Sequence, residues 1–333
     1  MWSARFRWAR RALLLAGLAV VLGALVHLGP EVILGHLRAL GWGLLLIFLP
    51  YLLVSVLDTL GWRYAIQHGA PSVSFARLFF ARLAGEAVNV TVPAASLGGE
   101  PVKAFLLGGS RVPLTEALAS VVIAKTTMTM SQLPFVLIGL GIAATYAEVS
   151  GPFIALMTLL LAAGTILITA FFLSQRWGLC AVVLGLLRRV GVRSRFLEAR
   201  EEDLKGLDLR IADFYARSPR RFSLSLLFHF LGWVAGSLEV YVVMQLLGLG
   251  GSFTTAFAIE ALGSAIRAGA FLIPANVGTQ EGGNILLFGA FGLASAAGLT
   301  FSLLRRVREL TFTGGGLLVL ARFGIPLRRS DTA

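Results

Sequence analysis

The chain has 333 residues, of which 57% are hydrophobic and 14% charged, and its formal net charge is +12. So few charged residues exclude a soluble domain with a polar shell and predict an integral membrane protein. The basic residues lie between apolar segments rather than on one helical face, which favours positive-inside topology and argues against nucleic acid as a partner. The single cysteine, Cys180, excludes an internal disulfide.

Apolar stretches long enough to cross a bilayer recur along the chain, and two more are each interrupted by a loop rich in proline and glycine. We therefore predict an all-α polytopic membrane protein, forming one domain over 1–333, with about six transmembrane helices and two re-entrant loops of broken helix. The spans lie near 12–28, 42–62, 114–147, 152–175, 222–247 and 295–323, and the re-entrant segments near 75–110 and 253–291. The residues that break the helices are Pro93, Gly98, Gly99, Pro274 and Gly278.

Arginine and lysine set the predicted orientation. Four arginines fall in the first eleven residues, the segment 188–221 is strongly basic, and the C-terminal tail carries Arg322, Arg328 and Arg329. Basic segments remain in the cytoplasm, so we predict a bacterial inner-membrane protein with both termini cytoplasmic. The segment 188–221 is predicted to be a cytoplasmic linker helix, because it combines charge with apolar residues at helical spacing.

The two loops have related sequences. Val92 to Glu100 and Ile273 to Glu281 each place a Pro-Ala pair seven residues before a glutamate, 181 positions apart. The same offset places Asp58 on Glu239 and Lys125 on Arg306, although it also places Glu86 on Arg267. Charged residues inside spans are costly, so their recurrence indicates a duplication. Because the predicted topology starts 42–147 outside and 223–328 inside, the two halves form an inverted repeat.

The charged residues of the loops and spans have two interpretations. Glu100 and Glu281 begin the half-helices that follow the breaks, where a carboxylate either caps the helix or contacts a cationic or hydroxylated headgroup. Lys125 and Arg306 either neutralise these acids or bind an anionic headgroup. We expect Arg308 to pair with its neighbour Glu309.

The candidate substrate-binding residues are polar or charged residues of the two re-entrant segments or of the predicted spans. They are Glu86, Glu100, Lys103, Lys125, Asn276, Gln280, Glu281 and Arg306, with Asp58 and Glu239 as further intramembrane charges. Arg305 either pairs with an acid of the spans, such as Glu239 or Glu260, or extends toward the membrane interface. The four histidines lack metal-ligand spacing, and the sequence contains neither a phosphate-binding glycine loop nor a nucleophile elbow. The sequence therefore predicts no catalytic residue, no metal and no cofactor.

Both loop motifs resemble a known family. Leu97-Gly98-Gly99-Glu100-Pro101 and the segment from Ile273 to Gly283 resemble the flippase-like transmembrane region of lysylphosphatidylglycerol synthases. The string Gly278-Thr279-Gln280-Glu281-Gly282-Gly283, followed by the charged run 305–309, is most similar to the branch associated with hopanoid biosynthesis. The resemblance implies an inner-membrane protein that moves a lipid, with Glu86, Glu100, Lys103, Glu281 and Arg306 as functional residues. Since nothing in the chain resembles the soluble aminoacyl-transfer domain, we expect no synthase activity.

These observations favour a lipid flippase or transporter for a lipid with a polar headgroup, with a hopanoid or glycolipid as the first candidates. The membrane lipid and the bilayer are then the partners. Two alternatives remain from the sequence. One is a membrane-embedded enzyme that modifies lipids, with the two glutamates as acid and base. The other is an accessory subunit that recruits lipid-biosynthesis enzymes through its basic linker. The oligomeric state is not predicted.

Overall fold

The computed structural model describes residues 41–67, 73–91, 98–108, 112–146, 151–182, 201–270 and 273–323, together with a few isolated positions before 41. Within these ranges the regular secondary structure is helical. A 3-10 turn, Gly41–Ile47, leads into α1. The α-helices are α1 (Phe48–Ala65), α2 (Phe75–Thr91), α3 (Gly99–Gly108), α4 (Leu114–Ala143), α5 (Gly151–Trp177), α6 (Glu201–Arg217), α7 (Pro219–Leu246), α8 (Phe253–Gly269), α9 (Thr279–Ala290) and α10 (Ser295–Phe323).

Four of the described segments are long and apolar enough to cross a membrane: Gly41–Ala65, Leu114–Ala143, Gly151–Trp177 and Pro219–Leu246. They coincide with four predicted spans and confirm an all-α polytopic membrane protein. The predicted span 12–28 lies outside the described residues. The predicted span 295–323 is one continuous helix, but charged residues interrupt its apolar character between Arg305 and Glu309. The count of six spans therefore stays a prediction.

α1 and α7 form the centre of the bundle and run antiparallel. Gly61 of α1 lies against the His229 imidazole of α7, and Gly232 of α7 lies against the Asp58 carboxylate of α1. A Cβ added at Gly61 would come within 2.6 Å of the His229 ring. Small residues thus allow the two helices to approach closely and leave room for their polar side chains.

Two further antiparallel pairs cross between the halves: α4 packs along α8, and α2 packs along α10. Gly139 of α4 faces Ala261 of α8, while Gly316 of α10 faces Leu83 of α2. Position 320 lies 181 residues after Gly139, and position 80 lies 181 residues before Ala261. Both are within about one helical turn of Gly316 and Leu83, which form the second contact. The same shift moves the start of α4 at Leu114 onto the start of α10 at Ser295. Helices α2, α3 and α4 thus match α8, α9 and α10 in order and approximate length, whereas α7 is longer than α1, and the inverted repeat stays a prediction.

Polar side chains on α4 connect the bundle. Thr127 and Ser225 share a hydrogen bond of 2.8 Å between their hydroxyl oxygens, and Gln132 donates to the Ser264 hydroxyl at 3.2 Å. Gln175, near the end of α5, donates to the Thr126 hydroxyl at 2.7 Å. Interhelical hydrogen bonds of this kind stabilise helix association inside a membrane. They explain the unusually polar stretch of α4 without assigning it to a substrate pathway.

α6 is amphipathic and packs against α4 and α5. It buries Ile211 and Phe214, and its Asp208 carboxylate accepts hydrogen bonds from the backbone N–H groups of Cys180 and Ala181 at 2.9 and 3.1 Å. Burial, with the Asp208 charge and its hydrogen bond, raises the pKa of the Cys180 thiol to about 12. α6 is the described part of the predicted linker 188–221, of which 188–200 lies outside the described residues.

Candidate functional site

The second helix break is stabilised by the chain itself. Between α8 and α9, Ala275 and Asn276 both adopt φ of 51°, and Gly278 adopts φ of 83°. With its amide nitrogen turned toward α8, Asn276 donates to the carbonyls of Ala270 and Arg267 at 3.0 and 3.3 Å. Asn276, predicted as a substrate-binding residue, therefore caps the C-terminus of α8. The predicted break residue Pro274 lies in a 3-10 turn just before the left-handed residues.

An ion pair closes the same break. Glu281 Oε2 accepts from the Gly278 N–H at 2.7 Å, while Oε1 accepts from Arg306 Nε at 2.9 Å. Arg306 also donates to the Ala275 carbonyl at 2.7 Å and to Glu309 at 3.1 Å. Glu281 thus caps α9 and neutralises Arg306 at once. Both carboxylate oxygens are used, so a ligand gains access to Glu281 only if this arrangement changes.

Two donors at the second break are buried without an acceptor among the described residues. They are Gln280 Nε2 and Arg306 Nη2. A buried donor without a partner costs about 1–3 kcal/mol and therefore requires an explanation in terms of another ligand or another conformation.

The first break is held by an asparagine on α2. The Gly99 N–H donates to Asn89 Oδ1 at 2.7 Å, and Asn89 Nδ2 donates to Glu100 Oε1 at 3.3 Å. Gly85 and Gly99 bring α2 and α3 into backbone contact, since a Cβ at Gly99 would lie 1.9 Å from the Gly85 carbonyl oxygen. The predicted break residue Gly98 forms the turn before α3, whereas Pro93 lies outside the described residues. Asn89 was not predicted from the sequence.

Two lysines and two glutamates lie close together beside the first break. Lys103 Nζ donates to Glu86 at 2.6 Å and to Glu100 at 3.1 Å. Lys125 of α4 approaches Glu100 only to 3.8 Å, and its side chain is 32% exposed. The Glu86 side chain is 33% exposed. Four predicted substrate-binding residues therefore meet here, and two of them keep an accessible charge.

Asp58 is neutralised from two sides. Arg82 of α2 donates to Asp58 Oδ2 at 2.6 Å, and His229 Nδ1 lies 3.0 Å from Asp58 Oδ1. Arg82 was not predicted from the sequence, and His229 was expected to be isolated. The one available signal was Asp58 itself, since a carboxylate inside a span needs a cationic or hydrogen-bonding partner.

These groups line a partly open cleft, which we call the charged cleft. Its acids and bases are balanced, three of each, with a histidine beside them. The lining residues are Asp58, Trp62, Arg82, Glu86, Glu100, Lys103, Val121, Ala124, Lys125, Met128 and His229. Such a lining offers partners to both a negative and a positive group of one ligand.

Glu239 lies in a separate, buried cluster on α7, α8 and α10. Arg308 donates to both carboxylate oxygens of Glu239 at 2.8 and 3.2 Å, and Arg305 links Glu239 to Glu260. Glu260 also accepts from Arg267 at 2.6 Å. The expectation for Arg308 was wrong, because Arg308 pairs with Glu239 rather than with its neighbour in sequence. Of the two alternatives for Arg305, the structure shows the pairing, since Arg305 is buried between Glu239 and Glu260.

The helices and the charged cleft define a polytopic helical membrane protein with ionisable groups gathered inside its bundle. The chain belongs to the family described as the lysylphosphatidylglycerol synthase TM region, whose sequence profile matches residues 12–314. This result confirms the family indicated by the loop motifs. The hopanoid-associated branch stays a prediction.

Two curated relatives are archaeal proteins named only as UPF0104 membrane proteins. The one from Pyrococcus horikoshii is 25% identical over 290 residues, which cover 83% of this chain and 86% of the relative. The one from Methanothermobacter thermautotrophicus is 25% identical over 319 residues, which cover 89% of each chain. No solved structure matches the chain.

Proposed function

We propose that this protein moves a lipid with a polar headgroup across the bacterial inner membrane, with both chain termini in the cytoplasm. The observation that carries the proposal is the charged cleft, which lies beside a helix break inside an apolar bundle. Ionisable groups inside a membrane are costly and usually mark a pathway or a binding site. A headgroup would contact the charged cleft while the acyl or terpenoid part of the lipid stays in the bilayer.

An inverted repeat supports transport by alternating access. Equivalent helices α1 and α7 pack antiparallel at the centre, as a two-fold axis in the membrane plane requires. The same axis relates the α4–α8 contact to the α10–α2 contact. Transporters with this symmetry open their two halves in turn around a site near the midplane. The two halves of the proposed repeat, 42–147 and 223–328, would then carry equivalent sites at the two breaks.

The ion pair is longer at the first break than at the second, as expected if the first break is open and the second closed in one state of the transport cycle. The Glu100–Lys125 distance is 3.8 Å beside an open cleft, whereas the equivalent Glu281–Arg306 distance is 2.9 Å. The Gln280 and Arg306 donors that have no acceptor among the described residues are buried on the closed side. When the second break opens, these donors would become available to a headgroup, and the first break would close.

Reconstitution tests the proposal. Proteoliposomes containing the wild-type protein should move a fluorescent phospholipid between leaflets, measured by chemical quenching of the outer leaflet. The double variant Glu100→Gln, Glu281→Gln should reduce the rate about tenfold or more, since each lost charge interaction contributes about 1 kcal/mol or more to headgroup binding. The control is Glu202→Gln, which changes an exposed acid on α6. A double variant as fast as the wild type would refute the roles of both glutamates.

The identity of the transported lipid is tested by competition in the same vesicles. Hopanoid and glycolipid are compared with phosphatidylethanolamine and phosphatidylglycerol as competitors of the fluorescent lipid. The proposed function requires at least one of these polar lipids to slow transport of the probe, and it fails if none competes.

A further inference from the structure

A second groove lies between α4 and α5, and its lining is apolar. It is open on one side and is lined by Thr126, Thr129, Leu167, Ile168 and Phe171. Both threonine hydroxyls donate to carbonyls of their own helix, at 2.9 and 2.8 Å, so the hydroxyls are satisfied without a ligand. Leu167 is 70% exposed on the opposite wall. The groove therefore suits a hydrocarbon chain.

This acyl groove, as we call it, adjoins the charged cleft around α4. Successive residues of an α-helix are rotated by about 100°, so Ala124 and Met128 face one side of Lys125, and Thr126 and Thr129 face the other. The first pair lines the charged cleft, and the second lines the acyl groove. Lys125 thus stands at the boundary between a charged surface and an apolar one. An amphiphile whose polar group contacts Lys125 has an apolar groove within one helical turn.

The charges beside Lys125 indicate which polar group fits. Arg82 and Lys103 each bind a carboxylate at 2.6 Å, whereas the nearest carboxylate to Lys125 lies at 3.8 Å. Lys125 is therefore the base of the charged cleft best able to bind a phosphate. The carboxylate of Glu86 is partly exposed, and its oxygen Oε2, which is not the one bound to Lys103, can accept a hydrogen bond from a hydroxyl or ammonium group. A phospholipid carries all three parts: a phosphate, a hydrogen-bond donor and an acyl chain.

We propose that a phospholipid binds across α4, with its phosphate on Lys125, its headgroup donor toward Glu86, and one acyl chain in the acyl groove between α4 and α5. This inference rests on the proposed lipid transport and adds the class of lipid and the path of its chain.

Photolabelling tests the chain's position. The wild-type protein is purified in detergent micelles and receives a trace of phosphatidylethanolamine that carries a diazirine midway along one chain. We expect adducts in 126–129 and 167–171 that disappear when unlabelled phosphatidylethanolamine is added in excess. Adducts spread evenly over exposed faces of α5, or adducts displaced by a hopanoid but not by phospholipid, would overturn the proposal.

A matched pair of variants separates specific binding from general contact with lipid. Leu167→Trp fills the acyl groove and should reduce labelling at 126–129 about tenfold, because the chain loses its apolar surface. Ile166 is 69% exposed on an adjacent face of α5, so Ile166→Trp should leave labelling unchanged. Equal labelling of the two variants would contradict the proposal. Both sites are exposed, so a common melting temperature is expected and shows that both variants fold.

The headgroup end is tested by Lys125→Met. In this variant, about ten times more phosphatidylglycerol should be needed to displace the diazirine probe, since one charge-assisted contact is lost. The adducts should keep their positions, because the acyl groove is unchanged. Unchanged competition would remove Lys125 from the phosphate site. Saturable labelling together with no lipid movement in the transport assay would keep this binding site but refute the proposed transport. Lipid movement unaffected by Leu167→Trp would refute the acyl groove and leave the transport proposal standing.

Discussion

Arg305 lies 3% exposed between two carboxylates, with Glu239 at 3.1 Å and Glu260 at 2.7 Å. Its guanidinium also lies over the Phe301 ring, 4.6 Å from the ring centre. An arginine inside the bundle is tolerated because two acids neutralise it, and the acids in turn depend on it and its neighbours. The charged run of α10 is therefore compatible with a continuous helix.

Replacing this arginine should destabilise the protein strongly. We expect Arg305→Met to reduce the free energy of unfolding by about 3–5 kcal/mol, because buried carboxylates lose a partner. The measurement is thermal unfolding in detergent, followed by tryptophan fluorescence. The control is Lys205→Met, which removes the 66%-exposed lysine of the Glu201–Lys205 pair and should cost about 0.5 kcal/mol or less. Equal losses in the two variants would contradict a stabilising buried cluster.

Gly99 permits the contact between α2 and α3 that places Glu100 in the charged cleft. A Cβ at this position meets the Gly85 backbone, which cannot rotate away, so Gly99→Ala should lower the melting temperature and weaken lipid binding. The control is Gly141 of α4, where an added Cβ would meet no atom within 4 Å. Gly141→Ala should therefore raise stability by about 0.5–1 kcal/mol through helix propensity. A stable, fully active Gly99→Ala variant would show that the close contact is not required.

Most acids and bases of the charged cleft were named from the sequence, with Arg82 as the exception, but the partners of Asp58 were not. Glu86, Glu100 and Lys103 lie within eighteen residues of each other, so one helix break accounts for their meeting. His229 and Asp58 are 171 positions apart and meet only because α1 and α7 pack antiparallel. Arg308 was assigned wrongly for the same reason: it pairs with Glu239 of α7, whereas its sequence neighbour Glu309 pairs with Arg306. Tertiary packing decides which charge meets which.

At the scale of helices, α6 holds the end of α5 through Asp208. The helical segment that begins after Gly178 receives this carboxylate at its N-terminus, where a negative charge is favoured. Tyr215 of α6 adds a hydrogen bond to Gln175 of 2.6 Å, and burial raises the pKa of its phenol. These contacts fix α6 against the bundle.

The alkylation rate of the Cys180 thiol measures the contact between Asp208 of α6 and the end of α5. Since the thiolate is the reactive form and its pKa is raised to about 12, alkylation by N-ethylmaleimide at pH 8 should be about tenfold or more slower than for a free cysteine. The rate should keep rising with pH through pH 10, because half-ionisation lies above that range. Asp208→Asn should accelerate the reaction by removing the negative charge, although burial remains. A rate that levels off near pH 8.5 in the folded protein would contradict the raised pKa.

The helices were largely predictable because their signals are local. Apolar length predicted α1, α4, α5 and α7, and the proline and glycine pairs predicted the break between α8 and α9. The 181-residue offset predicted which helices are equivalent, but only the structure shows how they cross between halves. Pairing of α2 with α10 depends on close contacts such as Gly316 with Leu83, which have no signature in either segment alone.

At the scale of the whole molecule, the proposed transport requires two inverted halves that open in turn. The first half presents the charged cleft, and the second keeps its break closed by the Glu281–Arg306 pair. Because Cys180 is the only cysteine, Cys180→Ser gives a background in which single cysteines can be placed at will. Met128 lines the charged cleft and Gln280 lies buried at the closed break, so they report on the two sides separately.

The most direct test is the sidedness of labelling in Met128→Cys and Gln280→Cys, using a membrane-impermeant thiol reagent added to either side of sealed vesicles. We predict that each cysteine reacts from one side only, that the two sides are opposite, and that a lipid which slows one reaction accelerates the other. Labelling of both positions from the same side, or a Gln280→Cys variant that transports lipid yet never reacts, would contradict alternating access.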